Sequence, residues 1–135
     1  MKDLDTGRPA PADLTYAAGR AAGDNGVMKP YAETEPSPAE VEALSGPALL
    51  EFGTPWCGWC RAAQPLIGSA LAAHPRVRHL KVEDGSGRPL GRAFRVKLWP
   101  TLVFLRDGQE VTRLVRPASP DPIGQALEQI DKTGD

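Results

Sequence analysis

The chain has 135 residues, enough for one domain with its own hydrophobic core, and its hydrophobic fraction of 41% is ordinary for a globular protein. Its 16 Lys and Arg nearly balance its 17 Asp and Glu, so the strongly basic surface of a protein that binds nucleic acid or anionic membranes is not expected. No apolar run approaches the roughly 18 residues that a membrane-spanning helix needs. These properties favour a single domain whose partners are neither nucleic acids nor membranes.

The start of the chain and its cysteines bear on the cellular compartment. Asp3 and Asp5 stand where a secretory signal would carry positive charge, and no apolar stretch follows them. We therefore expect a cytoplasmic protein, or a periplasmic one if a signal has been removed. The two cysteines, Cys57 and Cys60, cannot build the several bridges that hold small secreted domains together, and their close spacing indicates a functional pair.

The pattern of the sequence changes near residue 27. Residues 1–26 are rich in Ala, Gly, Pro and Asp without a sustained period, which predicts a flexible extension. The alternative is a short helix at 13–22, which the alanines favour and the glycines weaken. We expect one ordered domain at 27–131, followed by a tail at 132–135.

Cap and turn residues divide the ordered region into short elements. Ser37 and Glu40 can form a capping box at a helix start, and Asp107-Gly108 predicts a tight hairpin turn. In chain order the predicted elements are an edge strand at 27–34, a helix after Ser37, a strand at 48–52, a helix at 60–73, a strand at 77–83, a short helix or irregular connection at 87–94, strands at 101–105 and 110–115, and a helix opened by Ser119. The order β-α-β-α-β-α-β-β-α implies an α/β fold with a mixed central sheet flanked by helices on both faces.

Four basic residues, Arg76, Arg78, His79 and Lys81, lie in or beside the strand predicted at 77–83. Alternating charges on one strand are most often its solvated face. We therefore predict that these side chains are exposed, and we assign them no function.

A zinc site is the rival interpretation of the cysteines, because Cys57, Cys60, His74 and His79 match the loose spacing of a two-Cys, two-His site. If 60–73 is helical, Cys60 and His74 lie about 21 Å apart along the helix axis, whereas each ligand atom must approach zinc within about 2.0 to 2.3 Å. We therefore predict no metal site, and we expect both histidines at the surface.

A family resemblance rests on several motifs at characteristic separations. These are Glu51-Phe52 ahead of Trp56-Cys57-Gly58-Trp59-Cys60, Pro65 five residues after the second cysteine, Trp99-Pro100-Thr101 ahead of a strand, and Asp107-Gly108. From about Val27 to Ile130 the sequence resembles thioredoxin. The resemblance implies the thioredoxin fold and a protein-disulfide oxidoreductase that uses a redox-active Cys57–Cys60 disulfide and no other cofactor.

The two cysteines are predicted to have unequal roles. A strand that stops at Phe52 and a helix that follows place Cys57 at a helix N-terminus, where free amides and the helix dipole favour a thiolate. Cys57 would attack a client disulfide, and the less exposed Cys60 would resolve the mixed disulfide. Gly58 would leave the approach unobstructed.

Glu51 is the candidate acid or base. The resemblance implies a buried acid at this position, usually Asp, which exchanges protons with the second cysteine. Burial would raise the pKa of Glu51 and suit it to acid–base work near neutral pH. The alternative is that the longer Glu side chain turns towards solvent at the end of the strand.

Three departures from the family pattern concern the surface around the cysteines. Trp59 replaces a Pro, Trp99 replaces a smaller aliphatic residue before Pro100, and Pro117 falls near a position where the family often has Gly. By resemblance, Pro100 has a cis peptide bond beside the site.

All three tryptophans are predicted to crowd round Cys57. We expect Trp59 and Trp99 to form an exposed apolar rim that grips extended polypeptide, and Trp56 to have a structural role beside the cysteines.

The resemblance also implies the partners. They are client proteins that contain disulfides, and thioredoxin reductase or another dithiol as electron donor. We expect a monomer. Two questions stay open at this stage: whether the protein works as a reductase or as an oxidase or isomerase, and whether it is instead a non-catalytic interaction or chaperone module gated by its redox state.

Overall fold

A computed structural model describes residues 29–132. Its elements, in chain order, are α1 (Pro38–Glu42), β1 (Pro47–Gly53), α2 (Gly58–Leu71), β2 (Arg78–Glu83), α3 (Pro89–Ala93), β3 (Thr101–Arg106), β4 (Gln109–Val115) and α4 (Pro120–Ile130). The predicted extension at 1–26, its alternative helix at 13–22 and residues 133–135 lie outside the described residues, so the predicted division into extension, domain and tail stays a prediction.

The four strands form one mixed sheet in the order β2-β1-β3-β4. β1 is parallel to β2 and antiparallel to β3, and β3 is antiparallel to β4. The parallel pair needs a crossover, which α2 supplies, whereas the β3–β4 pair is closed by the tight turn at Asp107-Gly108. Both turn residues have left-handed backbone, with φ of 52° and 79°, as the favoured two-residue hairpin turn requires. The predicted mixed sheet is confirmed.

Helices cover both faces of the sheet, as predicted. α2 and α4 bury one face and α1 and α3 the other, because each contributes apolar side chains at helical spacing. In α4, Ile123, Leu127 and Ile130 share the buried side and are completely inaccessible. α1 begins with the predicted capping box, in which Ser37 Oγ accepts from Glu40 N–H and Glu40 Oε1 accepts from Ser37 N–H. Within residues 29–132 no helix is both long enough and apolar enough to cross a membrane.

The edge strand predicted at 27–34 is wrong for the residues that the structure describes. Residues 29–34 carry no strand, although Ala32 N–H donates a hydrogen bond to Lys81 O over 2.8 Å. Pro30 has no N–H for a ladder, so pairing cannot continue through it. This segment nevertheless lies along β2, and side chains replace the missing ladder: Lys29 Nζ donates to His79 O, and Lys81 Nζ donates to Lys29 O over 2.7 Å.

Candidate active site

The cysteine pair lies where the chain passes from β1 to α2. Cys57 has extended backbone and is the N-cap of α2, and its Sγ accepts a hydrogen bond from Cys60 N–H over 3.1 Å. Both cysteines are free thiols, and Cys60 Sγ lies 2.7 Å from Cys57 Sγ as donor. A sulfur at this position faces the unpaired amides and the positive dipole end of a 14-residue helix. The predicted location at a helix N-terminus is confirmed.

The two sulfurs differ in burial. Cys57 keeps 8% of its surface exposed and Cys60 only 1%. A Cβ atom at Gly58 would meet no atom beyond its two chain neighbours within 4 Å, so the space around this residue is open. Burial, and then the hydrogen bond to Cys57, raise the pKa of Cys60 to about 12. Cys60 is therefore a thiol at neutral pH and must lose its proton in order to attack.

Glu51 is completely buried and points to the side of the sheet that α2 covers. Gln64 of α2 reaches it: Gln64 Nε2 donates to Glu51 Oε2 over 2.8 Å and to Cys60 O over 2.9 Å. One amide thus joins the carboxylate of Glu51 to the backbone of the buried cysteine. The alternative, that Glu51 turns towards solvent, is wrong.

Two basic residues of β2 lie beside Glu51, Lys81 buried and His79 partly buried. Lys81 lies opposite Glu51 in the register of the parallel strands β1 and β2, and it is 2% exposed. Its Nζ donates a hydrogen bond to Gln64 Oε1 over 3.0 Å. His79 Nε2 lies 2.7 Å from Glu51 Oε1. The prediction of a solvated basic face is wrong for His79 and Lys81. These two residues are two positions apart on β2 and so point to the same face of the sheet, which α2 and the segment before α1 cover. Arg76 and Arg78 are exposed, as predicted.

The pKa of Glu51 moves in the direction opposite to the prediction. Burial is the largest single influence and would raise it, but the hydrogen bonds of His79 and Gln64 and the charge of Lys81 together lower it below its ordinary value of 4.5. Burial also lowers the pKa of His79, which favours a neutral imidazole that donates Nε2–H to the carboxylate. Glu51 is therefore a carboxylate at neutral pH and can accept a proton.

The histidines do not join the cysteines in a zinc site. His74 Nδ1 lies 2.7 Å from Asp131 Oδ2, and His79 is bonded to Glu51. Over residues 29–132, no group of three or more His, Cys, Asp and Glu could hold a metal ion. The expectation that both histidines lie at the surface is wrong, since each is partly buried against its carboxylate partner.

The tryptophans divide differently from the prediction. Trp56 and Trp59 are 68% and 58% exposed, so Trp56 belongs to the surface and not to the core. Trp99 is partly buried, and its Nε1–H donates to Asp84 Oδ2 over 2.9 Å. The rings of Trp56 and Trp99 meet edge to face with centroids 5.5 Å apart. The exposed aromatic surface is therefore Trp56 with Trp59, supported from below by Trp99.

Arg116, which the sequence analysis did not single out, connects these aromatic residues. Its guanidinium lies 4.7 Å from the centroid of the Trp59 ring, its Nε–H donates to Trp99 O over 2.8 Å, and its backbone N–H donates to Pro100 O. Pro100 is buried, and the Trp99–Pro100 peptide bond is cis. The left-handed backbone of this loop is at Arg116, with φ of 51°, and not at Pro117. No local motif marks Arg116, because its partners lie 16 or more residues away.

The tryptophans give a direct optical test of this arrangement. We expect reduction of the Cys57–Cys60 disulfide to change tryptophan fluorescence markedly, since Trp56 directly precedes Cys57 and its ring contacts Trp99. Emission spectra of the oxidised and reduced protein, recorded at equal concentration, provide the measurement. Identical spectra would contradict the placement of the cluster beside the cysteines.

The thioredoxin family profile matches residues 32–129 of this chain. The chain therefore belongs to the thioredoxin family, whose members are protein-disulfide oxidoreductases.

Individual relatives are similar over the same region. The solved structure of thioredoxin 2 from Pseudomonas aeruginosa PAO1 in its reduced form is 54% identical, with 77% of this chain and 96% of that chain covered and a TM-score of 0.70. Thioredoxin of Chlamydia trachomatis is 40% identical over 72 residues, 53% of this chain and 70% of that protein. Thioredoxin Asp f 28 of Aspergillus fumigatus is 32% identical over 71 residues, 53% of this chain and 66% of that protein. The chain spans only 23% of a TPR repeat-containing thioredoxin of Arabidopsis thaliana.

Proposed function

We propose that this protein reduces or exchanges disulfides in client proteins by a dithiol mechanism. The observation that carries the proposal is the N-capping Cys57, whose sulfur lies 2.7 Å from that of the buried Cys60. Cys57 thiolate attacks one client sulfur, and the other client sulfur leaves as a thiolate that takes up a proton. Cys60 then attacks Cys57 Sγ, which releases the second client sulfur and forms the Cys57–Cys60 disulfide. Two electrons pass from the cysteine pair to the client.

Glu51 serves the second half of this reaction. With its pKa lowered, Glu51 is a carboxylate at neutral pH and a weak base, which takes up the Cys60 proton only transiently and passes it on, while Gln64 holds both Glu51 and the Cys60 backbone in place. The charge of Glu51 also helps to keep Cys60 protonated until the mixed disulfide has formed, because a nearby negative charge disfavours a thiolate.

Clients would bind across the surface around Cys57. Trp56 and Trp59 present exposed aromatic rings there, and exposed apolar patches commonly mark binding sites. Gly58 keeps the approach to the sulfur clear, while Trp99 and Pro100 form the adjoining loop. We assign these residues to the grip on an extended client segment.

The remaining partners are proposed from the chemistry of the family. The oxidised protein needs a dithiol reductant, which we propose to be a thioredoxin reductase or an equivalent donor, and the protein acts as a monomer. We propose the cytoplasm as its location, since reducing pools keep thiols free there. A reduction potential near that of cytosolic reductases supports this proposal, whereas a much higher one indicates an oxidase or isomerase in another compartment.

Turnover of insulin disulfides tests the proposed function. We expect catalytic amounts of the protein, with dithiothreitol as electron source, to accelerate insulin precipitation well above the rate with dithiothreitol alone. An unaltered rate would contradict the enzymatic role and favour the non-catalytic interaction module.

A further inference from the structure

Tyr31, from the segment before α1, reaches the buried cysteine. A Cβ atom added to Gly53 would lie 2.6 Å from Cys60 Sγ and 3.0 Å from the Tyr31 hydroxyl, so both groups occupy the space left by the missing side chain at Gly53. The Tyr31 hydroxyl and the Cys60 sulfur therefore lie side by side at Gly53, close enough to interact. No sequence motif marks this contact, which joins residues 29 positions apart.

Several independent contacts hold Tyr31 in this place. Lys81 Nζ lies 4.5 Å from the centroid of the Tyr31 ring, and the next residue, Ala32, donates its N–H to Lys81 O. Lys81 Nζ also donates to Lys29 O, two residues before Tyr31. The same buried lysine thus contacts the Tyr31 ring and the backbone on both sides of it. These contacts hold the Tyr31 hydroxyl beside Cys60.

Towards a Cys60 thiolate the hydroxyl acts as the donor, because the thiolate has no proton to give. Burial first, and then the negative charges of Cys60 and Glu51, raise the pKa of Tyr31, so the phenol stays protonated at physiological pH. A protonated phenol stabilises a neighbouring thiolate more than a thiol, because a hydrogen bond to a charged acceptor is stronger.

We propose that Tyr31 is a catalytic residue of the resolving step, which donates a hydrogen bond to Cys60 Sγ as that sulfur becomes a thiolate and attacks Cys57. The proposal rests on the proposed dithiol function. The Cys60 proton goes to Glu51 or to solvent, the bond between Cys57 and the client breaks, and the phenol keeps its own proton throughout. The charged and titratable groups that face Cys60 directly or through Glu51 are Tyr31, Cys57, Glu51, Lys81 and His79.

The substitution Tyr31→Phe tests this role, because it removes the hydroxyl and keeps the ring over Lys81. The probe is 5,5′-dithiobis(2-nitrobenzoate) with reduced protein in excess, so that attack by Cys57 releases the first thionitrobenzoate and resolution by Cys60 releases the second. We expect the second release to slow about tenfold, its pH profile to move up by about one unit, and the first release to stay unchanged. The pH shift has this sign because loss of a donor to the thiolate raises the pKa of Cys60.

Thr54→Val is the matched control, since the Thr54 hydroxyl is buried and has no hydrogen-bond partner among residues 29–132. We expect it to leave both releases unchanged. If the second release is unaltered in Tyr31→Phe while the wild type behaves normally, Tyr31 has no role in resolution and the dithiol mechanism still stands. If both releases slow equally, Tyr31 has a structural role and not a catalytic one. A wild-type protein without a second release would overturn the dithiol mechanism, and the role of Tyr31 with it.

Discussion

Cys60→Ser should abolish turnover and leave the client covalently attached to Cys57. Cys57 can still attack in this variant, because it keeps its place as N-cap of α2, but a serine hydroxyl cannot resolve the mixed disulfide. We expect insulin turnover to fall about a hundredfold or more. Non-reducing electrophoresis of the variant incubated with an oxidised client should show a band at the summed mass, which reductant removes.

Cys57→Ser is the matched control, since it also removes one thiol from the pair. We expect the same loss of turnover without any trapped client, because the buried Cys60 is a thiol at neutral pH and is 1% exposed. Trapping by Cys57→Ser and none by Cys60→Ser would reverse the assigned roles.

Glu51→Gln should affect both stability and resolution. The substitution removes the negative charge from a buried site in which His79, Gln64 and Lys81 converge on the carboxylate. Without the carboxylate, the buried Lys81 ammonium loses its compensating negative charge, so we expect the free energy of unfolding at pH 7 to fall by about 3 kcal/mol, measured by urea denaturation. Loss of the proton acceptor should slow the second thionitrobenzoate release about a hundredfold. An unchanged release rate across the pH range would contradict the acid–base role.

The stability difference should depend on pH in a defined direction. The folded-state pKa of Glu51 lies below its ordinary value of 4.5, so its ionised form contributes stability fully above about that pH. This contribution is lost as the pH falls through the folded-state pKa. We therefore expect the free-energy difference between wild type and Glu51→Gln to be largest near neutrality and to shrink in acid.

Glu110→Gln controls for the chemistry of the Glu51 substitution. Glu110 pairs with Arg113 at 2.7 Å on β4, but the pair is partly exposed and only three residues apart. Surface pairs of this kind contribute about 1 kcal/mol or less. We expect little change in stability and none in the resolving step, so a loss equal to that of Glu51→Gln would contradict the importance of burial.

Much of the fold could be predicted because its signals act over a few residues. Ser37 and Glu40 close their capping box within one helical turn, and Asp107-Gly108 supplies the left-handed backbone that the hairpin needs. The edge strand failed because Pro30 removes a donor and side chains of Lys29 and Lys81 take the place of the ladder. Propensity alone does not reveal such a replacement.

The site could be predicted in its centre but not in its surroundings. Cys57 and Cys60 followed from their spacing and from the turn before α2, whereas Gln64 carried only the hint of a position one helical turn after Cys60. Trp99 is less exposed than expected because Asp84, from a distant loop, holds its ring.

The sequence by itself determined the family and the position of Cys57 at a helix N-terminus, since spacing, caps and turns are local properties. Only the tertiary structure decided that Lys81 is buried and His79 partly buried, that the pKa of Glu51 is lowered, and that Tyr31 lies beside Cys60. The physical reason is that burial and electrostatics sum over partners from separate segments, here the residues before α1, β1, α2 and β2, which come together only in the folded chain.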